Sequence, residues 1–226
     1  MQESVDLWTI VTSIVVYGLS TTLLLTALGL VLGFGLGLML ALMRTYGSPE
    51  LRWIADGYEK ILRGIPILVL IFIFSWTPSL FWFVAAEFRI LAGVILAFAL
   101  RSGAYQSQLY RGAIMSVSEG QMQAARAIGM STMSASRHIV LPQALRIAVP
   151  GFSNEYAVVI KDTSFASAVG AVEMFRIGRS NAMLHPELWI PIMLIVAILY
   201  LIFTYPITKI AGEKMTKQLR TLGLGG

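Results

Sequence analysis

Six residues able to bind or pair charge interrupt apolar stretches of this sequence. Asn154, Glu155, Lys161 and Asp162 fall within or just beyond an apolar run from Arg146 to about Ile160, and Thr163-Ser164 follow directly. Ionisable groups at membrane depth are costly and usually face a cavity or a partner. Glu155 and Asp162 are seven residues apart, so a helix puts them on one face, and the same holds for Asn154 and Lys161. The hydroxyls of Thr163 and Ser164 can cap or interrupt such a helix. A second run, Ile90 to Tyr110, carries Arg101, with Tyr105 and Gln108 near the same helix face at spacings of four and three. Two readings compete. A buried ion pair of Lys161 with Glu155 or Asp162 pins helices together, or these groups face a path for a polar solute. Desolvation offsets much of the attraction in a buried pair, which favours the second. No nucleophile lies beside a base, and the two acids share their helix with a lysine. Cys is absent, which excludes a disulfide framework, thiolate metal sites and a Cys nucleophile. His138 and His185 lack a second histidine at metal spacing. His138 reads as a surface residue, His185 as interfacial, and the scattered Met residues as packing.

The elements that position these residues are membrane helices. Of 226 residues, 57% are hydrophobic and 13% charged, more apolar surface than a soluble domain of this size can bury. The expected architecture is all-α and polytopic, one domain over residues 1–226 with five transmembrane helices. The first run, Val11 to Met43, exceeds the roughly 20 residues that a spanning helix needs. Gly29, Gly33 and Gly37 recur along it as a small-residue stripe for close helix packing. A polar link from Arg44 to Leu62 reads as an amphipathic stretch on the membrane surface. Arg63-Gly64-Ile65-Pro66 then opens a second span, Ile67 to about Phe83, with Trp76-Thr77-Pro78 and Trp82 at the far interface. Ile90–Tyr110 is the third span, Arg146–Ile160 the fourth, and Pro186 to about Tyr205 the fifth. The opening Met1-Gln2-Glu3-Ser4-Val5-Asp6 is acidic, without the basic start of a signal peptide, so the first span is expected to be kept. With the N-terminus outside and the C-terminus inside, twelve Lys and Arg, Arg220 among them, fall on inner segments and three on outer ones. Glu173, Arg176 and Arg179 lie on an outer link, as a solvated loop or a contact for an external protein.

The polar block Gly120 to Pro150 falls on the cytoplasmic side by that count. It is rich in helix formers, with Gly129 expected inside a helix. A mid-helix glycine costs about 1 kcal/mol, which close approach of another surface would justify. Gln123-Ala124-Ala125, then Gly129, then Ile139-Val140-Leu141-Pro142 resembles the "EAA" loop of ABC-importer permease subunits: Glu-Ala-Ala, three residues, Gly, nine residues, Ile-x-Leu-Pro. Gln123 stands at the Glu position. The longer run from Gly120-Gln121 through Leu141-Pro142-Gln143-Ala144 is similar to the polar amino-acid uptake branch. Arg63-Gly64-Ile65-Pro66 resembles that family's Arg-Gly-Thr-Pro block, with Ile65 for Thr and Leu70 for a later Gln. Ala104-Tyr105 match its Ala-Tyr-x-x-Glu, with Gln108 for Glu. Asn154-Glu155 and Lys161-Asp162-Thr163-Ser164 resemble its Asn-Glu and Lys-Asp-Thr-Ser, near where amino acids are held in mid-membrane.

The resemblance implies a type I ABC-importer permease fold with a coupling helix between spans 3 and 4, in a loop of about 112–145. It implies a permease that moves a polar or charged amino acid across the cytoplasmic membrane by alternating access. Partners would be two cytoplasmic ATP-binding subunits, a second permease chain, alike or different, and an external substrate-binding protein, with no nucleic acid. The chain has no phosphate-cradling Gly-x-x-x-x-Gly-Lys-Ser/Thr, so ATP and Mg would be bound by the partner ATPase and this chain would be no enzyme. Gln123, Ala124, Ala125, Gly129, Ile139, Leu141 and Pro142 would contact that ATPase. Glu155 or Asp162 would hold the substrate's ammonium; Asn154, Thr163, Ser164 or a helix N-terminus would hold its carboxylate. Arg101 either neutralises one of those acids or binds a substrate carboxylate. A stand-alone ion-coupled carrier explains the acids equally well but not the long cytoplasmic block. A polytopic membrane enzyme lacks its constellation.

Overall fold

In the computed structural model, which describes residues 6–221, the chain is helical and carries no strand among those residues. The acidic start Met1–Val5 and the side chains of Pro78 and Arg220 lie outside what is described. Helix α1 runs over Leu7–Tyr46, opened by Asp6, whose side chain accepts from the Trp8 amide at 3.2 Å. Its glycine stripe works as the spacing predicts, against helix α4 (Arg89–Met115). A Cβ on Gly29 would stand 2.7 Å from Phe98 Cβ, and one on Gly37 would stand 2.9 Å from the Gly103 carbonyl oxygen. Only bare backbone allows α1 and α4 to approach so closely. The core between them and the next helices is Leu25, Ile67, Ile71, Val94 and Phe98.

Between these helices lie α2 (Pro49–Gly64) and α3 (Ile67–Ser75). Pro49 opens α2, where its missing N–H is not needed. The helix is amphipathic, burying Ala55 and Glu59 and exposing Trp53, Ile54 and Ile61. The second span departs from expectation. Instead of reaching Phe83, α3 ends at Ser75 after nine residues, and 3₁₀ turns follow at Pro78–Phe81 and Ala86–Phe88. Pro78 pushes Thr77 out of the helical region, to φ −109° and ψ 69°, which stops the helix.

After α4 come α5 (Glu119–Ala127), a helical turn at Thr132–Ala135, a wide π-helical stretch at Ser136–Val140, and α6 (Leu141–Asp162). Helix α6 starts earlier than Arg146, because Pro142 sits in its first turn, where proline is tolerated. Gly129 is not inside a helix. It lies just past α5 at φ +88°, with its amide on the Arg126 carbonyl at 3.0 Å and the Met130 amide on the Ala125 carbonyl at 3.1 Å. That is a left-handed C-terminal cap, and a Cβ placed there would meet no atom within 4 Å beyond the adjoining residues. Conformation, rather than close packing within this chain, requires glycine there.

A 3₁₀ segment, Thr163–Val169, leads to α7 (Met174–Leu184) and α8 (Trp189–Ile207), which continues through a π-helical stretch into Met215–Thr221. Glu173 caps α7 and is fully buried, accepting from the Phe175 and Arg176 amides and from the Tyr200 hydroxyl at 2.8, 2.7 and 2.9 Å. It is therefore closed to an external protein. Among the described residues, three helices are long and apolar enough to cross a bilayer: Leu7–Tyr46, Ala86–Met115 and Pro186–Gln218. At 1.5 Å per residue, α3 spans only about 14 Å, short of a hydrocarbon core of about 30 Å. Helix α6 is 22 residues long, but its polar groups lower its hydropathy.

Candidate functional site

The charged side chains meet where α4 crosses α6. Arg101 Nη1 lies 3.0 Å from Asp162 Oδ2, with the two side chains 15% and 17% exposed. One residue along α4, Ser102 Oγ donates to Glu155 Oε1 at 2.9 Å. Ser102 Oγ in turn accepts from Gln106 Nε2 at 2.9 Å, and the same amide donates to the Leu30 carbonyl of α1 at 3.1 Å. Glu155 is 5% exposed and Gln106 1%. A buried polar path thus runs from α1 through α4 to α6. The α1 glycines Gly33 and Gly37 leave room for Ser102 and Gln106 at this contact, and the α4 glycine Gly103 leaves room for Leu36. Sequence reading passed over these two residues. Their signal is a spacing of four on the α4 face that meets the α1 glycines.

Arg101, Tyr105 and Gln108 do share a face. The Arg101 guanidinium carbon lies 4.7 Å from the Tyr105 ring centroid, and that of Arg63, at the end of α2, lies 5.1 Å from it. Gln108 donates to the buried carboxylate of Glu59, which also accepts from Ser107 and Arg44. Arg44 Nε reaches Asp56 Oδ1 at 2.5 Å. Three donors on one carboxylate tie the linker helix α2 to α1 and α4. The surface-helix pattern of α2 gave no hint that Glu59 turns inward.

The other expected site residues are dispersed. Thr163 is buried, its hydroxyl donating to the Ile160 carbonyl at 2.6 Å, and Ser164 Oγ donates to the Lys161 carbonyl at 2.8 Å. Lys161 makes no ion pair with Glu155 or Asp162; it is exposed and lines a cavity of about 540 Å³ with Phe175, Met193 and Tyr200. Asn154 is exposed too, on a cleft of about 440 Å³ beside Glu213 and Lys217. Helix periodicity groups Glu155 with Asp162 and Asn154 with Lys161. Only tertiary packing decides that the first pair faces inward.

In the Gly120–Pro150 block, Gln123, Ala124, Gly129 and Pro142 are exposed, Ala125 is buried, and Ile139 and Leu141 are half-buried. Ile128 is 79% exposed and Met133 66%. Both lie just beyond the end of α5, at its C-cap and in the helical turn Thr132–Ala135.

The family model described as "Binding-protein-dependent transport system inner membrane component" matches residues 33–211. The chain belongs to this family. Among relatives of this inner-membrane transport component, the nopaline transport system permease protein of Agrobacterium fabrum is 35% identical over 199 residues, covering 84% of this chain and 81% of the relative. The L-cystine transport system permease protein of Bacillus subtilis is 37% identical over 159 residues, covering 70% and 67%. The glutamine transport system permease protein of Escherichia coli is 30% identical over 215 residues, covering 92% and 94%. The backbone is similar to that in a crystal structure of an amino acid ABC transporter with histidines, at a TM-score of 0.79 and 27% identity over 95% of this chain and 99% of that one. It also shares its fold with the inward-facing MetNI methionine ABC transporter, at a TM-score of 0.73 and 21% identity over 97% of this chain and 99% of that one. This binding-protein-dependent component is a transport subunit.

Proposed function

We propose that this permease component belongs to an ATP-driven importer and carries a polar or charged amino acid across the cytoplasmic membrane by alternating access. The observation that carries the reading is the assembly of part-buried Arg101 and Asp162 with buried Ser102 and Glu155 between α4 and α6. An amino acid is a zwitterion and needs groups of both signs within a few ångströms. The cluster offers both, and the permease names of the relatives support the choice of solute. Glu155 and Asp162 receive the ammonium; Arg101, released from Asp162, or the Thr163–Ser164 turn, receives the carboxylate.

In this reading the chain crosses the membrane five times, N-terminus outside and C-terminus in the cytoplasm. The segment around α3 and helix α6 complete the count. Helix α5 is the coupling helix. Gln123, Ala124 and Gly129, with Ile139, Leu141 and Pro142 behind them, press into a cleft on one of two ATP-binding subunits, which hold ATP and Mg. A second permease chain and an external binding protein complete the importer. Closure of the ATPases on ATP pushes α5, and the packed helices switch between discrete arrangements. The test is uptake and substrate-stimulated ATP hydrolysis by Glu155→Gln and Asp162→Asn in the reconstituted importer. Loss of both activities is expected. Unchanged transport in both variants would assign the acids to structure.

A further inference from the structure

A buried amide sits where α1 and α4 pack, one hydrogen bond away from the α6 contact. Gln106 is 1% exposed, and glycine makes room for it: a Cβ on Gly33 would stand 3.0 Å from Gln106 Nε2, and one on Gly37 would stand 2.9 Å from Gln106 Cβ. Both amide hydrogens are engaged, on the Leu30 carbonyl at 3.1 Å and on Ser102 Oγ at 2.9 Å. The Leu30 carbonyl can only accept, which fixes the end of the amide that faces α1. The other end is left over. Gln106 Oε1 is buried with no donor among the described residues. Gln106 also borders a cavity of about 330 Å³, whose other lining residues, Leu30, Val31, Phe34 and Phe152, have no side-chain donor to offer. An orphaned acceptor in a packed interior is costly, and an apolar side chain of the same length would avoid that cost. Packing alone therefore gives no reason for an amide at this position.

What the amide supplies is direction. A serine hydroxyl has one hydrogen and can turn it to several acceptors, among them the carbonyl four residues back on its own helix, here that of Phe98. By donating to Ser102 Oγ, Gln106 makes that oxygen an acceptor on one side and leaves its hydrogen for Glu155 Oε1, at 2.9 Å. Glu155 is 5% exposed and makes no ion pair among the described residues. The Ser102 hydroxyl is the donor that its carboxyl group has there. One hydrogen bond thus sets where the carboxyl group points, and the donor of that bond is itself set by Gln106.

We infer that Gln106 is a positioning residue of the substrate site. Acting through Ser102, it holds one oxygen of Glu155 and so presents the other to the ammonium of the substrate. This rests on the reading of the cluster as an amino-acid site.

The test uses the permease assembled with its ATPase in lipid nanodiscs. L-Arginine, L-glutamate and L-glutamine are titrated by calorimetry, and the one that binds the unmodified complex most tightly is the probe. Gln106→Met, which keeps the length and removes the donor, should weaken probe binding by about tenfold, as loss of one hydrogen bond to a charged group does. Ser102→Ala should weaken it by about the same factor. The double variant should bind no more weakly than Ser102→Ala alone, because Gln106 acts through that hydroxyl. The unfolding midpoint of Gln106→Met should not fall, since the orphaned acceptor leaves with the amide. In uptake the change should appear in KM, with the maximal rate kept. Unaltered affinity in Gln106→Met overturns the inference. So does a double variant whose losses multiply to about a hundredfold, or a loss of affinity that comes with a lower midpoint. In each of those cases the transport reading stands. If Glu155→Gln binds the probe as tightly as the unmodified complex, or if none of the three amino acids binds, that reading fails and takes the inference with it.

Discussion

Replacing Asp162 by Asn removes the acid that Arg101 meets at 3.0 Å. The guanidinium then stays among packed helices with its side chain only 15% exposed, keeping the Tyr105 ring contact but no direct ion pair. Breaking a buried pair at one end costs about 3–5 kcal/mol. The ring contact and partial access to water put this case near the lower end, at about 3 kcal/mol. Arg101→Gln should cost a similar amount, because Asp162 is 17% exposed and loses its cation. The double variant Arg101→Gln/Asp162→Asn replaces the two charges of the pair by two amides that can bond to each other. Its cost should fall below the sum of the single changes by about 1–3 kcal/mol of coupling. The assay is chemical or thermal unfolding of the purified permease in one detergent, with uptake measured in parallel. The double variant should regain stability but not transport, which separates holding the helices together from holding the solute. Strict additivity of the two substitutions would refute the pair, and normal uptake by the double variant would refute its role in binding.

Other substitutions test other parts of the account. Gly33→Leu places a side chain where even a Cβ stands 3.0 Å from Gln106 Nε2 and from Ser102 Cβ. Overpacking of about 1–3 kcal/mol or more is expected, read as a lower unfolding midpoint and a lower yield of folded protein. Gly129→Ala forces a Cβ at φ +88° and should cost about 1–2 kcal/mol locally, whereas Gly129→Asn should be milder. Co-purification of the ATPase should fall in the same order if α5 is the docking helix, and equal retention by both variants would contradict that. Glu173→Ala removes a cap that serves two amides and the Tyr200 hydroxyl. Stability should drop by about 1–2 kcal/mol, without a change in ligand affinity in calorimetry.

Some of the architecture is written in local pattern. The Gly29–Gly33–Gly37 stripe forces close packing whatever the partner, and α4 proves to be that partner. The shared face of Arg101, Tyr105 and Gln108 follows from helical spacing alone. What the pattern hides is direction and termination. Spacing grouped Asn154 with Lys161 but held nothing to say that both are exposed and line separate cavities. Gly129 reads as a weak spot in a helix until its positive φ shows that the helix has already ended. The apolar run after Pro66 looks long enough to span, yet Thr77-Pro78 stops the helix at Ser75. Glu59 belonged to a stretch of alternating charge and became legible only when α1 and α4 brought Arg44, Ser107 and Gln108 to it.

The account stands most directly on where the solute rests. A cryo-electron microscopy map of the permease–ATPase complex with saturating amino acid, trapped before hydrolysis, should show the ligand between α4 and α6. Its ammonium should lie within hydrogen-bond distance of Asp162 or Glu155, and Arg101 should have moved off Asp162. Ligand density confined to the Lys161–Tyr200 cavity or the Asn154–Lys217 cleft, with the Arg101–Asp162 pair intact, would contradict it.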